Sequence, residues 1–194
     1  MEQLEVVRGY RLTGGSVASR RKLGLTEPAF GTLSADAFHS EGFPVSAGFA
    51  KPVADAVIAF VLGSKLAGPG ATVVDALRAV DFVVPALEIT DSGSASAVVL
   101  GATPAQLSTV DLRLAGCVLY HRGAVAATGA GGVVLGSPLN ALVWLANQGI
   151  TLEPGQVVLS GALTPPVEVE PGDSVSASIA GLGSVTATLS GEQP

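Results

Sequence analysis

Glycine and proline break this chain into short apolar runs, and that punctuation limits its fold more than any other feature. The 25 Gly and 12 Pro are spread along the 194 residues. Such spacing suits many short strands joined by tight turns, and it excludes a collagen-like or disordered chain. Glu153-Pro154-Gly155 and Glu170-Pro171-Gly172 set Pro and Gly in the order a type II turn requires, and each precedes an alternating segment, QVVLSGAL and DSVSASIAGL. Further strands are expected over residues 4–12, 55–62, 81–89, 95–100, 113–120 and 183–189. Gly123 supplies the turn of a hairpin into residues 124–127. Pro85 cannot donate to a ladder, which predicts a bulge or an edge position for its strand. Two helices are expected, one capped by Thr72 across VVDALRAV and one opened by Ser137-Pro138 and closed by a left-handed Gly149. Residues 13–48 are rich in Gly, Ser and Ala with little periodicity, and they read as a mobile lid loop. The expectation is a mixed α+β, mainly β chain folded as a single domain over residues 1–194, with about nine strands and few short helices.

Charge and cysteine content narrow the function. Hydrophobic residues make up 48% and charged residues 13%, so the surface is lightly charged or covered by other copies, which points to a homo-oligomer. The net charge is −6, and ten scattered Lys and Arg make no basic face for phosphates, which excludes a nucleic-acid partner. Arg20, Arg21 and Lys22 are the one cationic cluster and read as a solvated loop. The single cysteine, Cys117, sits in an apolar run as a small core residue and leaves no intramolecular disulfide or Cys-rich zinc site. No stretch reaches the roughly 18 apolar residues of a membrane span, and the N-terminus MEQLEVVRGY lacks a secretory apolar core, so no membrane partner and a cytoplasmic location are expected. Phosphate loop, dinucleotide fingerprint and nucleophile elbow are all missing from the sequence.

Four long blocks carry more specific information: LGLTEPAFGTL, VIAFVLGSKLAGPGATVVDALRAVDFVVPALEITDS, DLRLAGCVLYHRG and the run from PLNALVWLANQG to GSVTATL. In this order they resemble the fumarylacetoacetate hydrolase superfamily, in its 2-keto-4-pentenoate hydratase and 4-oxalocrotonate decarboxylase branch. The resemblance spans residues 9–189 and implies a β-roll like the C-terminal domain of that superfamily, in an oligomer. It also implies a small-molecule substrate, a 2-keto acid, whose carboxylate and keto oxygens chelate Mg²⁺ or Mn²⁺ held by acidic side chains. A hard divalent cation prefers such oxygen ligands and offsets the charge that develops on an enolate.

Position by position the match is incomplete. The family's Glu-x-Glu metal pair reads Asp55-Ala56-Val57, a shorter carboxylate followed by a side chain that coordinates nothing. The third ligand is present as Glu88, with Asp91 nearby in ITDS. A lysine of the family's GYKIGLTS-like block is replaced by Arg11, which grips carboxylates but shuttles protons poorly. After Asp91-Ser92 the family's charged segment gives way to Gly93-Ser94, and the family's helical N-terminal region has no counterpart. The family's GGS-x-T turn reads Ser160-Gly161-Ala162-Leu163-Thr164, losing one hydroxyl and keeping Thr164. Asp55 and Glu88 are read as a remnant catalytic pair and a weak metal site, against two ordinary strand-end carboxylates facing solvent. Arg11 is read as a substrate clamp or as a surface residue at a strand end. His39 is a candidate general acid or base against an exposed loop histidine, and His121 reads as a turn residue. Asp91, Thr164, Val57 and Ala162 are candidate substrate contacts.

These losses predict an enzyme in which no metal is required, although Mg²⁺ or Mn²⁺ is compatible with the two carboxylates. It would act on an enolisable keto or β-dicarbonyl compound in a lyase, isomerase or cyclase step, with a biosynthetic pathway as one setting for it. The same losses also suit two other readings: a non-catalytic homologue that stabilises an active partner, and an ordinary metal-dependent 2-keto acid hydratase or decarboxylase.

Overall fold

The computed structural model describes residues 6–46, 48–91 and 96–191. Two long strands, β5 (Pro52–Leu62) and β6 (Val80–Asp91), form its spine. They pair antiparallel from Pro52 opposite Asp91 to Leu62 opposite Val80, with a bulge between Val61 and Leu62. Around them β1 (Gly9–Thr13), β2 (Ala29–Leu33), β3 (Phe38–Ser40), β7 (Ser96–Leu100), β10 (Val157–Leu159) and β11 (Val167–Glu168) complete an eight-stranded sheet, ordered β2-β1-β10-β5-β6-β7-β3 with β11 on β5. A five-stranded sheet runs β4-β13-β12-β8-β9, from β4 (Pro44–Val45), β13 (Gly183–Leu189), β12 (Ser174–Ile179), β8 (Gly116–His121) and β9 (Ala124–Ala130). The helices are α1 (Val17–Leu23), α2 (Val73–Ala79) and α3 (Leu139–Asn147).

The near-continuous apolar runs of β5 and β6 reflect burial on both faces. One face, with Ala54, Ala56, Ile58, Phe60, Leu87 and Ile89, joins the main core with the second sheet (Leu119, Val175, Ala177, Val185) and α3 (Leu142, Leu145). The opposite face makes a smaller cluster of Leu33, Ala37, Val57, Ala59, Val84, Ala86, Val98 and Leu159. Cys117 lies in the main core, where burial pushes its thiol up to about 11, so it is an inert apolar residue.

Several local expectations hold. Thr72 caps α2 in a reciprocal capping box with Asp75. Arg122 and Gly123 both take positive φ (51° and 81°) between β8 and β9, the signature of a two-residue type I′ hairpin. Gly155 and Gly172 have φ of 80° and 89° in turns closed by Gln156 onto Glu153 and Asp173 onto Glu170. Gly149 follows α3 with φ 83°.

Others are corrected. Residues 13–48 are not a loop, because α1, β2, β3 and β4 lie within them, and the strands are tied to β1, β7 and β13. Arg20, Arg21 and Lys22 form the last turn of α1, where Arg20 donates to the carbonyls of Gly14 and Gly15. Strands of two to five residues carry too little pattern to be read alone, and their partners stabilise them. Ser137 contributes its carbonyl to Asn140 at the start of α3, while Pro138 takes the N-cap position. Pro85 is neither bulged nor at an edge: it sits opposite Ile58 in the middle of the sheet. Ile58 turns its own backbone groups toward Ser160, donating to Oγ at 3.1 Å and accepting from the Ser160 amide at 2.9 Å. Pro85 therefore needs no donor toward β5. On its other side β7 ends at Leu100, and Gly101 donates to the Pro85 carbonyl. Leu4 and Glu5 of the expected first strand, and Ala95 of the expected strand 95–100, lie outside the described residues.

The hairpin turn is clamped to the turn before β12. Asp173, 5% exposed, accepts from Arg122 Nε at 2.5 Å and meets His121 Nε2 at 2.6 Å. Burial alone would raise this carboxyl, but bonds from Arg122, His121 and the Glu170 amide outweigh it and hold it at about 2, below its ordinary 3.8. A depressed acid stabilises the fold above pH 4 and loses that contribution as pH falls through 2. Asp173→Asn should therefore cost about 2 kcal/mol at neutral pH, with the gap to wild type closing between pH 4 and 2 in paired urea melts.

Candidate active site

Asp55 of β5 and Glu88 of β6 are directly opposed in the ladder, on the face that carries Val57, Ala59, Ala86 and Val84. Opposed residues on one face approach to about 5 Å between Cβ atoms, so the two carboxyls share one surface. Arg11 of β1 reaches the same place: its Nε lies 3.1 Å from Glu88 Oε1. In the sheet order β1 and β6 are separated by β10 and β5, a span of about 14 Å in a flat sheet. The contact therefore requires the sheet to curl with this face inward. The ring of Phe38 on β3 confirms the curl, because a Cβ added at Gly9 of β1 would lie 3.4 Å from it. That same Cβ would stand 2.1 Å from the Val157 carbonyl oxygen, so only glycine allows β1 to lie against β10 here.

Glu88 is 5% exposed, and the Arg11 side chain 24%. Asp55 Oδ1 is buried with no hydrogen-bond partner. Burial first, and then the neighbouring Glu88, push the Asp55 carboxyl up to about 7 from 3.8, against smaller opposing pulls from Arg11 and Lys22. Near neutral pH it exists in both protonation states, the condition for giving or taking a proton. A second orphan lies close by in the fold: the Thr164 hydroxyl is buried without a partner, and Thr164 is 6% exposed. The segment that carries it runs beside Asp55, since Leu163 donates to the Ala56 carbonyl and Val167 pairs with Ala54. Gly129 permits this course, because a Cβ there would stand 1.8 Å from the Leu163 oxygen. Buried polar groups are nearly always satisfied, so two orphans beside one stretch of β5 single it out as the candidate site.

The structure thus brings Asp55, Glu88 and Arg11 together, and it places Thr164 in a segment whose backbone bonds to β5 next to Asp55. Val57 is fully buried next to Asp55 on the same face, and Ala162 is half-buried in the Thr164 segment. It does not bring in His39 or Asp91. His39 pairs with Val99, which faces the main core, whereas its neighbour Phe38 packs on the site-side cluster; the imidazole therefore points to the opposite face. Asp91 is an odd number of residues from Glu88, so a regular strand turns it away, and its carboxylate accepts the backbone amides of Ala50 and Lys51. The Gly93-Ser94 bridge lies outside the described residues. Sequence reasoning missed Ser160, whose fully buried hydroxyl ties Ile58 to Gly161, and Lys22, whose charge acts on Asp55. Ser160 was visible within the Ser160–Thr164 turn motif, and Lys22 within the cationic cluster, where nothing local linked it to Asp55.

The donor set does not match a three-carboxylate ion site. Val57 stands where a second ligand is implied, Glu88 is paired with a guanidinium, and among the described residues no group of three or more His, Cys, Asp or Glu is placed to hold a metal.

A carboxyl pair and a cation on the inward face of a mainly β roll make up the candidate site. The model of the fumarylacetoacetate (FAA) hydrolase C-terminal family matches residues 14–190. The chain is 41% identical to the TodF product hydratase of Pseudomonas putida, over 96% of this chain and 80% of that protein. It is 40% identical to a 2-keto-4-pentenoate hydratase of Paraburkholderia xenovorans, over 96% of this chain and 77% of that protein. The solved 4-oxalocrotonate decarboxylase from Pseudomonas putida G7, complexed with magnesium and adipate, superposes with a TM-score of 0.90 at 30% identity, covering 96% of this chain and 79% of that one. The chain belongs to the fumarylacetoacetate hydrolase C-terminal family, and its relatives include hydratases and a decarboxylase.

An acid whose folded pKa is raised destabilises the fold once ionised. Wild-type stability should fall as pH rises from 4 to 7 on account of Asp55 and level off above it. Asp55→Asn removes that slope and should be more stable than wild type at pH 8 by on the order of 2 kcal/mol, with no gain at pH 4, as read by thermal melts at both pH values.

Proposed function

We propose that this chain is a lyase-type enzyme acting on an enolisable 2-keto or β-dicarbonyl acid, with a metal site reduced to Asp55 and Glu88. Its support is the meeting of the Arg11–Glu88 ion pair with the partly protonated Asp55 carboxyl on one inward face, and the unpartnered Thr164 hydroxyl in the segment that runs beside β5. Arg11 offers several N–H donors, and a planar fork suits a substrate carboxylate. Asp55 exchanges a proton with the carbon next to the keto group, because its pKa lies near the working pH. Thr164 supplies a hydrogen bond to a substrate oxygen. Val57 and Ala162 give an apolar wall in place of a carboxylate and a hydroxyl. No resident metal is required in this reading; a bound Mg²⁺ or Mn²⁺ would supply Lewis-acid stabilisation of an enolate.

Similarity to hydratases and a decarboxylase favours addition–elimination or carbon–carbon cleavage over the isomerase or cyclase steps that the sequence leaves open. Exposed Phe43, Leu114 and Val125 support a homo-oligomer, because apolar side chains of this size on a lightly charged surface are commonly covered by another copy. The expected partner is a small-molecule substrate, in the cytoplasm.

Steady-state assays with 2-keto-4-pentenoate and 4-oxalocrotonate check this reading. Wild type should turn over at least one of them. Asp55→Asn should lower kcat by about 10²–10⁴ with little change in KM. Arg11→Ala should act mainly by raising KM. Unchanged turnover in Asp55→Asn or Glu88→Ala would remove the site assignment.

A further inference from the structure

The Asp55–Glu88 pair poses a charge problem that the chain itself resolves. Two carboxyls opposed on neighbouring buried strands repel unless a cation lies between them or a proton neutralises one. Here the chain supplies a cation to Glu88, and Asp55 holds its proton more tightly than usual. Arg11 comes from β1, across two intervening strands, and puts Nε 3.1 Å from Glu88 Oε1 on a carboxylate that is 94% covered. Its approach is built: Gly9 lets β1 lie against β10, and the sheet's curl brings the guanidinium inward.

We propose that the Arg11 guanidinium serves as this site's resident cation, excluding a divalent ion from Asp55 and Glu88 and itself binding the substrate's carboxylate. The inference rests on reading Arg11, Asp55 and Glu88 as the substrate site. Three features support it. Glu88 already has a unit positive charge in contact, so a divalent ion on the same carboxylate would stand a few ångströms from a guanidinium, which weakens its binding by about a hundredfold or more at low effective dielectric. Val57, fully buried beside Asp55, offers no oxygen to compensate. Arginine carries five N–H donors, and Nε toward Glu88 occupies one. One terminal nitrogen lies 3.4 Å from Thr13 Oγ1, a contact weak enough to be exchanged for an anion. Arg11 thus joins Glu88 to a bound carboxylate through its planar fork, a geometry that a spherical hydrated ion does not share.

The test uses the full chain stripped with EDTA. Electron paramagnetic resonance during a Mn²⁺ titration should show no bound ion up to about 1 mM, because two carboxylates, one of them paired, make a poor site. Pyruvate, with EDTA present throughout, should raise the melting temperature of wild type. Arg11→Gln should lose the pyruvate shift and gain at least about tenfold in Mn²⁺ affinity once the guanidinium's positive charge is removed from beside Glu88. If Arg11→Gln does not fold, Arg11→Lys keeps the charge without the fork: it should still exclude Mn²⁺ and bind pyruvate about tenfold more weakly. Stoichiometric micromolar Mn²⁺ binding by wild type, a pyruvate shift that appears only with Mn²⁺, or Mn²⁺ binding by Arg11→Lys would each overturn the proposal. Turnover that requires Mn²⁺ would sink this inference and leave the lyase reading standing. Metal-free pyruvate binding without turnover of any 2-keto acid would do the reverse.

Discussion

Pairing between Pro52–Leu62 and Val80–Asp91 is the constraint from which the rest of the molecule follows. Side chains in a strand alternate with a period of two, so one register decides which residues face which core. In the observed register Ala54, Ala56, Ile58 and Phe60 face the second sheet and α3, and Asp55, Val57 and Ala59 face inward with Glu88. A slip of one residue would drive Asp55 into the main core and expose Ile58 to the site. Burial on both faces makes that slip prohibitive, since each misplaced aliphatic side chain forfeits about 1.5–3 kcal/mol of burial.

The inward face departs from what stability alone would select. Replacing a buried ion pair by aliphatic side chains is often neutral or stabilising, and Val57 and Ala59 show that apolar residues fit here. Asp55 and Thr164 add buried polar atoms without partners. Such features concentrate at functional sites, which is why the charges and orphans together, rather than any single residue, single out the candidate site. This member of the fumarylacetoacetate hydrolase C-terminal family lines the inward face of its roll with Asp55, Val57 and Glu88, and brings Arg11 onto Glu88.

Much of the scaffold was legible because local rules govern it. Gly155 and Gly172 stand where type II turns need positive φ, Gly123 turns the β8–β9 hairpin, and Thr72 satisfies the free amides of α2. Less was legible where a residue's meaning depends on its neighbour. Pro85 looks like an edge signal until Ile58 is seen turning its backbone toward Ser160. The strands within residues 13–48 are too short to show a period, and they form because β1, β7 and β13 offer open backbone groups. His39 and Asp91 are the residue types an active site uses, yet strand alternation turns both away from it.

By itself the sequence determined the class of fold, the family and the identities of the carboxylates and the arginine, because apolar runs, turn residues and long matching blocks are properties of adjacent positions. Only the tertiary structure decided which of those polar residues meet. Arg11 and Glu88 are far apart in the chain and three strands apart in the sheet, and their contact exists because twist curls the sheet until the two ends of that span face each other.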